Sequence, residues 1–450
     1  MPRLDLKIKE RQKKEIRVER KIIMKNLMKR SLTMLLALVM LLSLVACGSG
    51  GEEAPSGSDS NAGEQVEVDP LAITPYSNGP RSIEEIVAEM LSEYDLPELS
   101  EEDKKYTVNL GYYNCDHMAA ASVGEYTGIF KGLGLNVSVT GNGNVPEAMS
   151  AGQMDMAYCG WTTTLSAVQN NVPLFIAAEN HTGGSEYLVV SNEIETAQDL
   201  IGKRIAMGTD PDTKNLNWAE YCDELGLPRD ISLYENFSMS DSDEYLALVT
   251  GELDAYNCCD PWGSMAEYTG AGKIMARQNT DRGGELGHGT CCKVAMNYEF
   301  AKAHPALAER MLLAHTLCIQ FMYEHPYYAA EIFSAYYNVP VEVAIMTYWR
   351  KFVHEGRTIR WDLNMDYMRN QLGTMVHYGI RDDINTVNVE DYVDLTYFNN
   401  CGAKDFGEWC KTNIDPVFPE SMDYDSFKAK ALAIDGMKAE DVPEYVELDK

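Results

Sequence analysis

The chain has 450 residues, with 38 Lys and Arg against 69 Asp and Glu, giving a formal net charge of −31. A field of that sign repels nucleic acid and anionic lipid headgroups, which excludes polyanion binding as the role of the surface, and no nucleic-acid partner is expected. A local anion pocket stays open as an option, because a few aimed donors can hold an anion inside an acidic shell.

The first recognisable element is a leader. Lys25, Lys29 and Arg30 precede an uncharged apolar run, Leu32 to Val45, that is short for a membrane span and ends at Leu44-Val45-Ala46-Cys47 before a Gly/Ser/Glu-rich stretch. This order of features is that of a bacterial lipoprotein signal. Cys47 is expected to be lipidated and to become the new N-terminus, anchoring the protein in the cell membrane on its extracytoplasmic face. Residues 1–23 precede a signal that is already sufficient, so Met24 or Met28 serves equally well as the start. No other stretch is apolar over the roughly 20 residues that a spanning helix needs. Residues 48–70 contain almost no large apolar side chain, and as a flexible coil they reach roughly 26 Å, a tether.

Next, Ser82-x-x-Glu85 has the form of a capping box opening an amphipathic helix, with Ile83, Ile86, Val87, Met90 and Leu91 on one side. From Tyr106 short apolar strands alternate with helices: strand 107–112, helix 119–131, strand 135–140, helix 146–151, strand 155–158, helix 163–170 and strand 173–178. A second series follows: helix 196–200, strand 204–207, helix 214–225, strand 231–234, helix 242–250, strand 255–258 and helix 261–269. The β-α-β order predicts parallel α/β sheets. Both series share a phrase in which a helix is followed by Gly and an acid before a strand, Gly152 with Asp155 in one and Gly251 with Asp254 in the other. Beyond Cys291 the pattern turns helical, with Pro305, Pro326 and Pro340 suited to first-turn positions. Leu307, Met311, Ala314, Cys318 and Phe321 then fall on one helix face and are read as packing.

Several of these stretches carry a family resemblance. Gly124-Glu125-Tyr126-Thr127-Gly128-Ile129-Phe130 followed by Gly134-Leu135-Asn136-Val137, the run Ala148 to Trp161, Gln198-Asp199-Leu200-Ile201-Gly202-Lys203 and Leu253-Asp254-Ala255 through Asp260-Pro261-Trp262 occur in an order and spacing that resemble the nitrate/sulfonate/taurine-type solute-binding proteins of ABC importers, which are related to pyrimidine-precursor binders. The resemblance runs from about Tyr106 to Phe398. It implies a periplasmic-binding-protein type II fold, that is, two α/β lobes joined by two hinge crossings, with residues 71–190 as the first part of lobe 1, 191–290 as lobe 2 and 291–450 as the return to lobe 1 plus C-terminal helices. It further implies a monomeric, non-enzymatic receptor without a cofactor, whose partners are a small-molecule solute and an ABC transporter permease.

In open α/β sheets ligands sit where loops and helix N-termini gather at the carboxyl ends of strands. The loops to inspect therefore carry Tyr113, Asn114, Asp116 and His117; Gly160, Trp161, Thr162 and Thr163; His181; Thr209 and Thr213; and Asp260 with Trp262. Gly160 admits close backbone approach, Trp161 is a flat apolar wall and Thr162 offers a hydroxyl. Thr209 and Thr213 lie at a helix start that favours an anion, whereas Asp210 and Asp212 beside them favour a cationic or zwitterionic solute. These loops lack an Arg for bidentate oxyanion binding, so a neutral or zwitterionic heteroaromatic solute is as reasonable as a sulfonate. Hinge crossings are expected at 187–190 and 292–295, after glycines at 183–184 and 283–289.

Ten cysteines remain besides Cys47, in a compartment where disulfides persist. Cys401 and Cys410 are near enough in the chain to pair, and in an anaerobic host all ten could stay thiols. The doublets Cys258-Cys259 and Cys291-Cys292, with His288, are weighed as a metal cluster and set aside, because there is no C-x-x-C pair and strand alternation sends doublet members to opposite faces. An enzyme like the pyrimidine-precursor synthases and a ligand sensor for a membrane receptor stand as the alternative functions.

Overall fold

A computed structural model describes residues 81–113, 115–141, 145–278, 289–381 and 387–442. The leader with Cys47, the tether, Asn114 and His288 lie outside the described residues. No helix among the described residues is long and apolar enough to cross a membrane.

Helix α1 (Ile83–Ser92) starts as its sequence predicts: the Ser82 side chain accepts from Glu85 N–H, the Glu85 carboxylate accepts from Ser82 N–H, and Ile83, Ile86 and Val87 are buried. Strands β1 (Thr107–Tyr112), β2 (Asn136–Gly141), β3 (Met156–Gly160) and β4 (Leu174–Thr182) alternate with α2 (Ala120–Tyr126), α3 (Ile129–Gly132), α4 (Val145–Ser150) and α5 (Trp161–Gln169). The single helix expected over 119–131 is broken by Gly128, whose φ of 76° lies in the left-handed region and ends one turn before the next begins. Strand β4 continues past its expected end, so Glu179, Asn180, His181 and Thr182 are sheet residues and not a loop.

The second series gives β5 (Glu186–Ser191), β6 (Arg204–Ala206), β7 (Glu235–Phe237), β8 (Ala255–Cys259) and β9 (Gly272–Arg277). Between them come helices α6 (Pro211–Lys214), α7 (Leu216–Leu225), α8 (Asp241–Val249) and α9 (Trp262–Thr269). The strand expected at 231–234 is a 3-10 turn at Ile231–Leu233, and the strand itself follows at Glu235. The Asp230 carboxylate accepts from Ser232 N–H and diverts that backbone into a turn, which is the usual effect of such a side chain.

After β10 (Thr290–Asn297) the chain is helical: α10 (Tyr298–Ala303), α11 (Pro305–Glu324), α12 (Pro326–Tyr337), α13 (Val341–Trp349), a π-helical turn at Arg350–His354, and α14 (Met365–His377). Pro305 and Pro326 open their helices, and Leu307, Met311, Ala314, Cys318 and Phe321 are all buried in the main core.

Among the described residues two five-stranded sheets form, ordered β2-β1-β3-β10-β4 and β7-β6-β8-β5-β9. In each, one strand runs against its neighbours: β10 is antiparallel to β3 and β4, and β5 is antiparallel to β8 and β9. These are the strands that follow the two passages between sheets, so each lobe is completed by chain arriving from the other. Two α/β lobes with two crossings make this the periplasmic-binding-protein type II architecture.

The crossings sit earlier than expected. Residues 187–190 lie inside β5 and 292–295 inside β10; the passages are residues 183–185 and the stretch between Arg277 and Thr290, of which 279–288 lie outside the described residues. Gly183 and Gly184, read as leading up to the first hinge, lie in that passage themselves. Gly183 has a φ of 78° and its N–H donates to Gly289 O at 3.0 Å, while a Cβ on Gly184 would meet the Gln278 side chain at 2.5 Å. The two passages are packed against each other.

Candidate functional site

The carboxyl ends of β3 and β6 face a common space, a cavity of about 490 Å³. Gly160, Trp161 and Thr162 line it from lobe 1, and Met207, Gly208, Thr209, Asn215 and Asn257 from lobe 2. Ser185, Glu186, Gln278, Thr290 and Cys291 line it from the passages and the strands beside them, and Gln371 and Met375 of α14 complete it. Helix α5 opens here with no side chain capping its first turn, so its leading N–H groups are available donors. The indole N–H of Trp161 is buried and has no hydrogen-bond partner among the described residues.

The charge on this wall is set by burial. The Glu186 carboxyl is pushed up to about 8 by burial and then by Asp241, and Glu244 to about 9 by burial, Asp241 and Glu186. Glu186 accepts from Asn257 Nδ2 at 2.8 Å and from Cys259 Sγ at 3.1 Å. The lysine on the cavity rim, Lys214, donates to Asp210 at 2.6 Å. The described lining contains no arginine.

Behind the cavity the lobes meet directly. Asp116 N–H, after β1, donates to Asp260 O, after β8, at 3.1 Å. The π-helical turn inserts two cations at this junction. Lys351 Nζ reaches Tyr187 Oη at 2.9 Å, Glu355 Oε2 at 2.9 Å and Asp116 Oδ2 at 3.5 Å, all fully buried. Arg350 lies 3.8 Å from Asp260, donates to Ser264 Oγ at 3.1 Å and pairs with Glu267. Burial opposes the charge on Asp116, and Lys351 and His117 overcome it, holding the carboxyl below its usual range.

A cluster of thiols and imidazoles adjoins the inner end of the cavity. His117 Nε2 stands 3.4 Å from Cys115 Sγ, 3.0 Å from Cys292 Sγ and 3.7 Å from Cys291 Sγ, and its Nδ1 lies 2.8 Å from Asp116 Oδ1. Cys259 belongs to the same group, its Sγ lying with the Cys115 Sγ and a His117 ring nitrogen within 4.8 Å of one another. Burial disfavours the His117 cation, yet Cys115, Cys292, Cys291 and Asp116 raise its pKa well above the ordinary value. The Cys291 thiol is lowered, first by the Cys292 hydrogen bond, and Cys115 by the one from Cys259. His181 stacks on His117 with ring centroids 4.7 Å apart, and burial lowers its pKa although Cys291 hydrogen-bonds its ring.

Among the residues singled out in the sequence, Gly160, Trp161, Thr162 and Thr209 line the cavity. Tyr113, His117, His181, Thr213, Asp260 and Trp262 are not among its lining residues. The reasons differ. His181 is buried in β4, Thr213 turns its hydroxyl to Asp210 O, and Trp262 packs on Tyr245 at 5.7 Å. Asp260 spends its carboxylate on Ser264, accepting from N–H at 2.8 Å and Oγ at 3.0 Å. With Lys351 and Arg350 supplying the countercharges, Asp116 and Asp260 need no cationic solute. Glu186, Asn257, Gln371 and Met375 had no sequence signal; the last two sit on a helix remote in the chain from either series.

The argument against a thiol cluster also fails in part. Strand alternation should separate Cys291 from Cys292, but β10 shifts register against β4 on either side of Cys292, and the two Sγ atoms come within 3.4 Å. All ten cysteines of the described residues are thiols, Cys401 and Cys410 included.

The arrangement defines a two-lobed binding-protein fold with a cavity at the strand tips. Residues 101–335 match the model of the NMT1-like family, and the chain belongs to that family. Comparison with curated protein sequences gives no significant match. Among solved structures, the ligand-binding component of an ABC-type import system from Staphylococcus aureus with zinc bound is similar at TM-score 0.53 and 14% identity, covering 67% of this chain and 100% of that one. The periplasmic nitrate-binding protein NrtA from Synechocystis PCC 6803 is similar at 0.51 and 14%, covering 76% and 100%. A putative periplasmic sulfonate-binding protein from Methylobacillus flagellatus is similar at 0.51 and 14%, covering 71% and 99%. At these identities the likeness is one of fold.

Proposed function

We propose that this protein is an extracytoplasmic receptor, lipid-anchored through Cys47 and monomeric, that captures a small solute between its lobes and passes it to the permease of an ABC importer without chemically changing it. The observation that carries the reading is the cavity at the strand tips, lined from both lobes and large enough for a small organic molecule. Family membership and the binding proteins of like fold support it. The lining favours a neutral or zwitterionic solute: Asn215, Asn257 and Gln371 offer amides, Thr162 and Thr209 hydroxyls, Trp161 backs the wall from its buried cluster, and no arginine is present in the described lining to grip a bare oxyanion.

A thermal-shift screen of sulfonates, nitrate, amino-acid-like zwitterions and pyrimidines against the purified full-length chain tests this. A solute at 100 times its Kd stabilises by about 2.7 kcal/mol, a shift of a few degrees for a protein of this size. Trp161→Ala is expected to weaken the best hit at least 10-fold by titration calorimetry. If every class leaves the midpoint unmoved, the receptor reading fails.

A further inference from the structure

The cluster around His117 has the composition and spacing of a site for a thiophilic metal ion. Four sulfurs and one imidazole nitrogen form two overlapping triads, Cys115-His117-Cys259 and His117-Cys291-Cys292, the donor atoms of each lying within 4.8 Å of one another. Around a zinc-sized ion, with metal–sulfur about 2.3 Å and metal–nitrogen about 2.0–2.1 Å, tetrahedral donors stand roughly 3.5–3.8 Å apart. The Sγ–Nε2 separations of 3.4 Å to Cys115 and 3.7 Å to Cys291 and the Cys291–Cys292 Sγ separation of 3.4 Å are close to that spacing, while Cys292 Sγ, at 3.0 Å from Nε2, stands nearer than two ligands of one ion would.

The surroundings match as well. Metal-ligating imidazoles characteristically give their other nitrogen to a carboxylate, and His117 Nδ1 lies 2.8 Å from Asp116 Oδ1. The second imidazole, His181, is wholly buried, stacks on His117 at 4.7 Å and hydrogen-bonds with Cys291.

We propose that the inner end of the cleft binds one thiophilic metal ion of the Zn2+ class through His117 and thiolates of the Cys115, Cys259, Cys291 and Cys292 cluster. Cys115 follows β1 of lobe 1 and Cys259 ends β8 of lobe 2, so the donors converge only when the lobes are together. The ion would thereby hold the closed form. This deepens the receptor reading and rests on it for the claim that the ion is cargo or travels with the solute. Ion binding itself requires only the donor cluster.

The test uses the full-length chain, purified anaerobically under reductant and loaded with Co2+ as a spectroscopic probe. Expected are one Co2+ per chain, a thiolate-to-cobalt charge-transfer band and displacement by Zn2+. Cys259→Ser and Cys291→Ser should each weaken Zn2+ binding, in competition with a chromophoric chelator, by more than the 10- to 100-fold that loss of a mere supporting partner costs. Cys401→Ser should leave it unchanged. Far-ultraviolet circular dichroism checks that each variant folds. A reduced wild type without the band, or a band surviving both substitutions, overturns the site. Small-angle scattering separates the two readings: Co2+ uptake without compaction of the lobes sinks the cargo role and leaves the site standing. A solute that closes the lobes of a protein taking no Co2+ sinks the site and leaves the receptor.

Discussion

His315 shows how one buried side chain makes stability depend on pH. Its Nε2 lies 2.8 Å from Glu179 O and its Nδ1 3.1 Å from Tyr158 Oη, so the neutral ring donates from Nε2 and accepts at Nδ1. Burial pushes its pKa down from 6.5 to about 4. Between those values the unfolded chain binds the proton and the folded chain does not, so stability is full above about 6.5 and falls as pH drops towards 4. The loss is on the order of 3 kcal/mol. Urea titrations from pH 7 to pH 4 should show it, and His315→Gln, which keeps a donor and an acceptor, should flatten that part of the curve. An equal slope in both proteins would show that other groups carry it. At this same scale the sequence was an uneven guide. Trp161 was readable because a Gly-Trp-Thr run follows a strand, whereas Asp260 was misplaced because its countercharge, Arg350, lies 90 residues on, in a segment with no motif.

Elements were more legible than residues, and the exceptions are instructive. Period and punctuation located six of the ten described strands, β1 to β4, β6 and β8, since apolar runs bounded by Gly, Pro and Asp leave few readings, but they gave no strand for β5, β9 or β10 and set β7 a few residues early. They failed where tertiary pairing overrides the local signal: β4 runs on through four polar or charged residues because β10 pairs with it as far as Thr182. The passages were missed by a few residues because nothing in sequence tells a glycine before a hinge from a glycine within it. Gly184 decides that point. Adding a methyl there drives it into Gln278 at 2.5 Å, and Gly184→Ala should cost about 1–3 kcal/mol in urea unfolding. An unchanged midpoint would show that the passages are loosely packed.

Over the whole molecule, α14 ties the two halves. The residues just past its C-terminus are held by lobe 2, with Arg229 donating to Tyr378 O at 2.6 Å and Tyr378 Oη donating to Asp223 at 3.1 Å. They are held by lobe 1 through Arg381, which reaches Ser166 Oγ at 3.2 Å and Gln169 at 3.1 Å. Since the same helix places Gln371 and Met375 on the cavity wall, loosening it should release solute faster. Arg229→Ala removes a charge-assisted hydrogen bond of about 1.5 kcal/mol, which corresponds to roughly 10-fold in the dissociation rate followed by tryptophan fluorescence. A rate equal to wild type would mean that the strap takes no part in closure.

The backbone link from Asp116 to Asp260 has a consequence for how such a molecule gapes. Sliding the halves apart as a whole would leave a buried amide and a carbonyl without each other and part Asp116 from Lys351, a heavy cost. Tilting about that seam leaves it intact and spreads only the far rim. The mouth then opens like a clam on its ligament, and whatever enters must pass Trp161 and Thr209 before it reaches the sulfurs.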